Sequence, residues 1–536
     1  MDTIPASGAI VAREKASLEN VLVIATLMVG TVSASMTNGI ISTTLGQPSF
    51  LEYFGFLTAN GTSVGRIGVV NGVFFTGSLF GLYYQAYICD RFGRKMSLAN
   101  AAVFTIIGGA MLAGSVHIAM LIVFRFVAGF GASQFVGTVP IMMSEMSPPH
   151  HRGLFVGMFS VAISAGYTLS SVLGVGFYFV SGGGAQWRVP FALCTVLSVV
   201  TLALLPWIPE SPRWLVMQDR TDEAARIIRR LHGSRKDMAS DHFASLEIEQ
   251  IKAQVLFERR NHVTWWEFLT SKKYFRRATV AALGFALSQV GHRLSPPVTY
   301  ETYPTFLSEQ SCGILVINSY GAAISKGLGF SSIAQLSITL GYNASALVSV
   351  SICSTLVDRV GRVRFITIGV ISLVSIMAIF TALVKLYAGG PNISANAAAV
   401  AMIILFTMVY GGCVEGEVYT YASEIFPSHL RAKGITWGIS WLYLVIIPFT
   451  TGALYAFETI GWRFYLVFII VPLFLLAAFV YLARETKGKT LEEIGALFGD
   501  EMATKTLDEQ IQEEKLGMKA AIHAESKDQI HGIVPK

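Results

Sequence analysis

Charge is what this 536-residue sequence has least of: only 14% of it is Asp, Glu, Lys or Arg, against about 25% in an ordinary soluble domain. The length alone would suggest three or four soluble domains, and the charge deficit argues against them. Cysteine is also scarce. Cys89, Cys194, Cys312, Cys353 and Cys413 are scattered in or beside apolar runs, with no CxxC pair and no Cys/His cluster. That excludes a disulfide framework and a zinc site and leaves the thiols as small membrane-embedded hydrophobes. No nucleophile, metal-ligand or phosphate-cradling constellation is present, so an enzyme is not expected, nor a cofactor, nor a metal. The net charge of +6 gathers in particular loops, which marks membrane topology rather than a nucleic-acid surface. The run from Val21, with Val32-Ser33-Ala34, imitates a signal peptide. No secreted-type domain follows it, so it is read as a first membrane helix.

What the chain has in abundance is long apolar runs. It is 53% hydrophobic, with mean hydropathy +0.56, and runs of about 20 residues, the length that crosses a bilayer, recur throughout. Spans are expected near 21–43, 67–89, 97–115, 118–140, 154–180 and 189–208, then near 278–326, 333–357, 365–388, 397–421, 434–457 and 464–483. This predicts an all-α integral membrane protein of twelve transmembrane helices in two pseudo-symmetric six-helix bundles, 21–208 and 278–483. A tail (1–20), a linker (209–277) and a second tail (484–536) complete the division. The linker carries amphipathic runs such as Asp222–Leu231 and Ser245–Glu258 and reads as helices against the inner membrane face.

Lys and Arg fix the orientation. Arg91, Arg94 and Lys95 follow the second span, Arg359, Arg362 and Arg364 the eighth, and Arg431 and Lys433 the tenth. The linker adds Arg226, Arg229, Arg230, Arg259 and Arg260. All fall on one side, which makes both termini cytoplasmic. Two glycosylation triplets, at Asn60 and Asn392, then fall outside, whereas a third at Asn343 lies within a span and is expected to be silent.

Three signatures occur twice. DRFGRK at Asp90–Lys95 returns as DRVGRV at Asp358–Val363, EMSPPHHRG from Glu145 returns as EIFPSHLRAKG from Glu424, and PESPRWL from Pro209 is echoed by RETKGKT from Arg484. The offsets are 268, 279 and 275 residues, about half the chain. A duplicated six-helix unit explains that spacing, and such repeats place a substrate between the halves near the midplane. The charges are expected to form a gate: Asp90, Arg91 and Arg94 with Asp358, Arg359 and Arg362, and Glu145 pairing with Arg152 as Glu424 does with Arg431. Together they would latch the halves in one state and release them in the other.

In order and spacing, DRFGRK, the Arg125–Gly131 run RFVAGFG, PESPRWL, DRVGRV, EIFPSHLRAKG and ETKGKTLEEI resemble the sugar porter family of the major facilitator superfamily, over roughly residues 20 to 495. The resemblance implies twelve helices, alternating access and a hydroxylated cargo. It also exposes departures. Family members carry an acid in the first helix that serves proton coupling, and Thr37 stands there, beside Asn38. The fifth-helix Gln aligns with Ser160 and the tenth-helix Trp with Tyr419. A ligand with many hydroxyls loses partners at each change, and an unpaired buried polar group costs about 1–3 kcal/mol. In compensation, Arg125 lies in the fourth span, and Glu415 and Glu417 in the tenth. Ionisable groups at membrane depth are functional candidates: either glutamate could carry a proton, pair with Arg125 or receive a cargo donor. Tyr419 and Trp441 could stack on a ring-shaped ligand.

The seventh span is irregular. After Val290 comes Gly291-His292-Arg293-Leu294-Ser295-Pro296-Pro297, which cannot lie in lipid as helix. The family pattern resumes at Glu309-Gln310-Ser311-Cys312-Gly313-Ile314. Removing 288–307 restores one continuous helix, so this stretch reads as an insertion of the kind a translated intron leaves. Glu309 and Gln310 then occupy pocket positions; a competing alignment uses Gln289 and Ser295 instead. The expected function is a secondary transporter of a small hydroxylated solute in the plasma membrane, with protons as an open partner. An exporter of a non-sugar metabolite and a non-transporting sensor are the alternatives.

Overall fold

In hydrocarbon every backbone N–H and C=O must be satisfied within the protein, and a single apolar run does this as an α-helix. The computed structural model describes residues 18–487 apart from 57–60, 148–151, 181, 183, 232–244, 246–247, 250, 254, 257–263, 290–313, 357–359, 388–391 and 427, together with Ile494, Leu497 and Phe498. The first half contains α1 (Leu18–Leu45), α2 (Gly61–Phe92), α3 (Arg94–Ala113), α4 (Ile118–Met146), α5 (Arg152–Tyr178) and α6 (Ala185–Leu204). In the linker lie α7 (Pro212–Met217), α8 (Thr221–Leu231) and α9 (Trp265–Thr270). The second half contains α10 (Lys272–Gln289), α11 (Ile314–Gly327), α12 (Ser332–Cys353), α13 (Arg362–Tyr387) and α14 (Ile393–Tyr410). It continues with α15 (Gly416–Ile425), α16 (Ser428–Ile460) and α17 (Val467–Leu482).

Among the described residues, eleven helical segments are long and apolar enough to cross a bilayer, with α14 and α15 forming one of them. The remaining span of the fold falls where α10 and α11 flank residues 290–313. Residues 288 and 289 complete α10; the rest of the 288–307 stretch lies outside the described residues. The architecture is two six-helix bundles, and they meet along two equivalent seams, α2 against α16 and α5 against α12. On the first seam a Cβ at Gly68 would collide with the Thr451 carbonyl and one at Gly72 with the Thr451 hydroxyl. Small residues let helices approach this closely in a membrane. On the second seam Asn343 donates to Ser171 at 2.8 Å, and Thr168 donates to the Asn343 carbonyl at 3.1 Å.

The linker helix α8 buries Ala224, Ile228 and Leu231, spaced along one face at helical period. Asn20, at the start of α1, donates to the Leu231 carbonyl at 3.0 Å, tying the linker to the bundle. The end of the molecule carrying the Asp-Arg-x-Gly-Arg repeats is termed the motif end.

Candidate functional site

Between the halves lies a cavity of about 90 Å³. The first half contributes Ser35 and Asn38 from α1, Phe74, Phe75 and Ser78 from α2, Ser133 from α4 and Tyr167 from α5. The second contributes Asn318 from α11, Tyr410, Glu415 and Tyr419 from the tenth span, and Tyr443 from α16. Asn38 donates to the Tyr167 hydroxyl at 2.7 Å. The wall is a mosaic of short hydroxyls, two amides and aromatic rings. Such a wall can orient a small polar ligand through a few fixed groups while burying its apolar faces.

The tenth span reaches this cavity through a π-helical turn, Gly411–Glu415, between α14 and α15. Such turns often mark functional sites. Here Glu415 faces the central cavity, whereas Glu417 is buried against a smaller cavity of about 10 Å³ lined by Gly157, Ser160, Ser354 and Thr420. The two glutamates therefore serve different spaces, and Ser160 sits with Glu417 rather than in the central cavity.

Arg125 is fully buried in α4. Its Nη1 donates to the Thr37 carbonyl at 3.1 Å, and its guanidinium lies 4.3 Å from the centroid of Phe74, a cation–π contact. Nε and Nη2 have no hydrogen-bond partner among the described residues. The Thr37 hydroxyl bonds back to the Ser33 carbonyl at 2.8 Å within its own helix, so at this position the backbone, not a side-chain acid, receives the arginine. Tyr419 lines the cavity and packs edge-on against Phe159 and Phe285, with centroids 5.2 and 5.0 Å away. Trp441 does not line the cavity and rests against Trp437, centroids 5.7 Å apart. Glu309 and Gln310 lie outside the described residues.

At the motif end each half builds the same clasp. Arg94 binds Glu145 through Nε at 2.9 Å and Nη2 at 2.8 Å, and Arg362 binds Glu424 at 3.0 Å. Ser211 donates to Glu145 and Thr486 donates to Glu424, both at 2.6 Å. Glu210 accepts the backbone N–H of Arg94 at 3.0 Å, and Glu485 accepts that of Arg362 at 2.9 Å. Both acids reach these amides across a glycine with positive φ, Gly93 at 96° and Gly361 at 105°. Burial pushes the Glu210 carboxyl up from its ordinary range, against the opposing pull of its backbone N–H bonds and of Arg94. Sequence proximity pointed to Arg152 and Arg431 as partners of the two glutamates. Arg94 and Arg362 are the partners seen among the described side chains; in the first half α4 runs back along α3 and brings Glu145, near its own end, beside Arg94 at the start of α3. Both clasps lie within a half. Across the halves, Asp90 is an electrostatic neighbour of Lys433.

Of the other motif residues, Asp90 accepts the Trp214 indole N–H through its carbonyl at 3.1 Å, and Arg91 donates to the Tyr87 hydroxyl at 2.9 Å. Asp358, Arg359 and Asn60, and the side chains of Arg152 and Arg431, lie outside the described residues. Asn392 is exposed and caps α14, accepting from the Ala395 N–H at 3.1 Å. Sequence reasoning did not single out Tyr167, Tyr443, Asn318, Glu210 or Glu485. For the last two the signal was present, since both occupy the same place in the third repeated motif.

The sequence pattern of the family described as Sugar (and other) transporter matches residues 22–292 and 303–498. The break, 293–302, falls inside the irregular stretch noted from sequence. The MFS-type transporter criB of Aspergillus cristatus is 28% identical over 464 residues, 86% of this chain and 90% of that protein. The high-affinity glucose transporter of Kluyveromyces lactis is 26% identical over 501 residues, 88% of this chain and 83% of its own. Among solved structures, the proton:xylose symporter XylE bound to 6-bromo-6-deoxy-D-glucose superposes with a TM-score of 0.72. It is 20% identical, covering 89% of this chain and 99% of that one, and it establishes a shared fold.

Proposed function

The chain belongs to the sugar (and other) transporter family of the major facilitator superfamily, and on that premise we propose that it carries a small hydroxylated solute across a membrane by alternating access. The observation that supports this best is the central cavity, whose polar groups come from both halves, Asn38 and Tyr167 on one side and Asn318 and Glu415 on the other. A rocking motion of one bundle against the other would expose those groups to each side in turn. In this reading Asn38, Tyr167 and Tyr419 contact cargo, and Thr37 and Arg125 shape the wall behind them. Glu415 is the coupling candidate nearest the cargo, with Ser160 and Glu417 placed beside the tenth span's second cavity.

The paired clasps stiffen the motif end of each bundle. The Asp90–Lys433 approach across the halves supports a latch there that holds one state closed. With the basic loops taken as cytoplasmic, both termini are cytoplasmic and Asn392 faces outside as a glycosylation candidate; the likeness to yeast glucose carriers supports the plasma membrane as the location in this reading. Thr37 in place of an acid, together with the aromatic cavity wall, favours a second reading in which the cargo is a non-sugar metabolite that is exported.

Uptake and efflux in proteoliposomes, with a panel of labelled sugars, polyols and organic acids and with or without a pH gradient, test the proposal. Movement of at least one hydroxylated compound is expected. If none moves in either direction, the sugar-like reading is lost.

A further inference from the structure

Among the described residues that line the central cavity, Glu415 is the sole acid and none is Lys, Arg or His. Among the described residues no hydrogen bond or ion pair occupies its carboxylate. Its electrostatic neighbours are the hydroxyls of Tyr167 from α5 and Tyr419 from its own span, with Tyr443 of α16 beside them. The groups facing it from α1, α2 and α4 are hydroxyls, an amide and the rings of Phe74 and Phe75, none of which titrates. Arg125 is not among the cavity's lining residues and contacts the Thr37 carbonyl and the Phe74 ring, and Glu417 belongs to the other cavity.

A carboxylate at membrane depth must be neutralised by something. Among the described residues the cavity offers no internal cation, and aromatic faces attract a positive charge brought in from outside. Resting on the carrier reading above, we propose that the cargo is a small hydroxylated organic cation, and that this cation and a proton compete for Glu415. The exchange balances: the cation pairs with the carboxylate as the carboxyl proton leaves to solvent, one positive charge replacing another, and neither bonds nor electrons change otherwise. A carrier in which Glu415 must hold one or the other exchanges them across the membrane. An inward-acid or outward-acid gradient then drives the cation in the opposite direction to the proton.

The test uses the full-length protein, purified and reconstituted, with choline and tetraethylammonium as probes and 3,3-dimethylbutan-1-ol as the neutral isostere of choline. A permanent cation cannot shed its charge to leak through lipid. The expected result is that at least one of the two cations binds about tenfold or more tightly than the neutral isostere, a difference of about 1.4 kcal/mol. Its binding also releases protons into weakly buffered solution, and a pH gradient drives its labelled form across liposomes. Glu415→Gln loses both the preference and the proton release, while Glu415→Asp keeps them in weakened form; this rescue separates a charge role from a merely structural one. The inference is overturned if neither cation outbinds the isostere, if binding releases no proton, or if Glu415→Gln keeps the preference. Transport of a labelled neutral sugar or polyol by a preparation that ignores both cations would leave the carrier reading standing and remove this one. A preparation that moves nothing would remove both.

Discussion

Arg94 grips Glu145 through two hydrogen bonds, and both side chains are more than nine-tenths buried, at 5% and 8% exposure. The equivalent Arg362–Glu424 pair is more open, at 10% and 19%. Removing one member of a buried pair strands the other charge, at about 3–5 kcal/mol. Glu145→Ala is expected to lower thermal stability in detergent by more than Glu424→Ala. Combining Arg94→Ala with Glu145→Ala should harm the protein less than the sum of the single losses. Additive losses would mean that the pair is not energetically coupled.

The clasp also depends on its glycines. At Gly93 the backbone is left-handed and a Cβ would strike the Glu210 carboxylate; at Gly361 it would lie 2.9 Å from Glu485. Gly93→Ala combines the left-handed penalty of about 1–2 kcal/mol with displacement of an acid that holds three backbone amides, those of Arg94, Lys95 and Ser211. A lower melting temperature is expected for both alanine variants, with a larger drop at Gly93. Equal stability to the parent would show that the positive φ is not required.

At the opposite end, α2 and α16 touch through Gly68 and Gly72 against Thr451. Gly72→Leu cannot fit while that seam is shut, so the variant is expected to hold it open. Transport should fall by roughly tenfold or more, as for about 1.4 kcal/mol of bias in a two-state equilibrium. A cysteine placed at Thr451 should react faster with an impermeant thiol reagent than in the parent. Unchanged labelling would argue that the seam does not gate access.

Much of this was legible because membrane burial writes long signals. Apolar runs located the spans, and the Asp90/Asp358 and Glu145/Glu424 repeats revealed the two halves. What escaped was short-range in space and long-range in sequence. Glu145 meets Arg94 from 51 positions away because α4 runs back along α3 and ends beside its start, a proximity no local pattern encodes. Tyr167 was missed because one tyrosine among 19 carries no mark until Asn38 is seen bonded to it. The π-turn that turns Glu415 toward one cavity and Glu417 toward another changes helical phase within five residues. The sequence shows there only Gly411, Gly412 and Gly416.

The Asn38–Tyr167 bond at 2.7 Å gives a graded test of the cavity. Tyr167→Phe removes the acceptor and keeps the ring. A net loss of about 0.5–1.5 kcal/mol is expected in apparent affinity for whichever solute the carrier moves, with little change in melting temperature. A rise in KM confined to the cargo is the expected readout. An unaltered KM would place cargo elsewhere.

The central claim is that the two bundles tip about the cavity they share. Spin-label distances test it most directly, using one pair at Arg66 and Tyr455 near the glycine seam and another at Phe92 and Leu356 near the motif end, all on exposed positions. Alternating access predicts opposite changes: when added solute or an altered pH lengthens one distance, the other shortens. Two distances that rise together, or that stay fixed while solute is transported, would contradict the account.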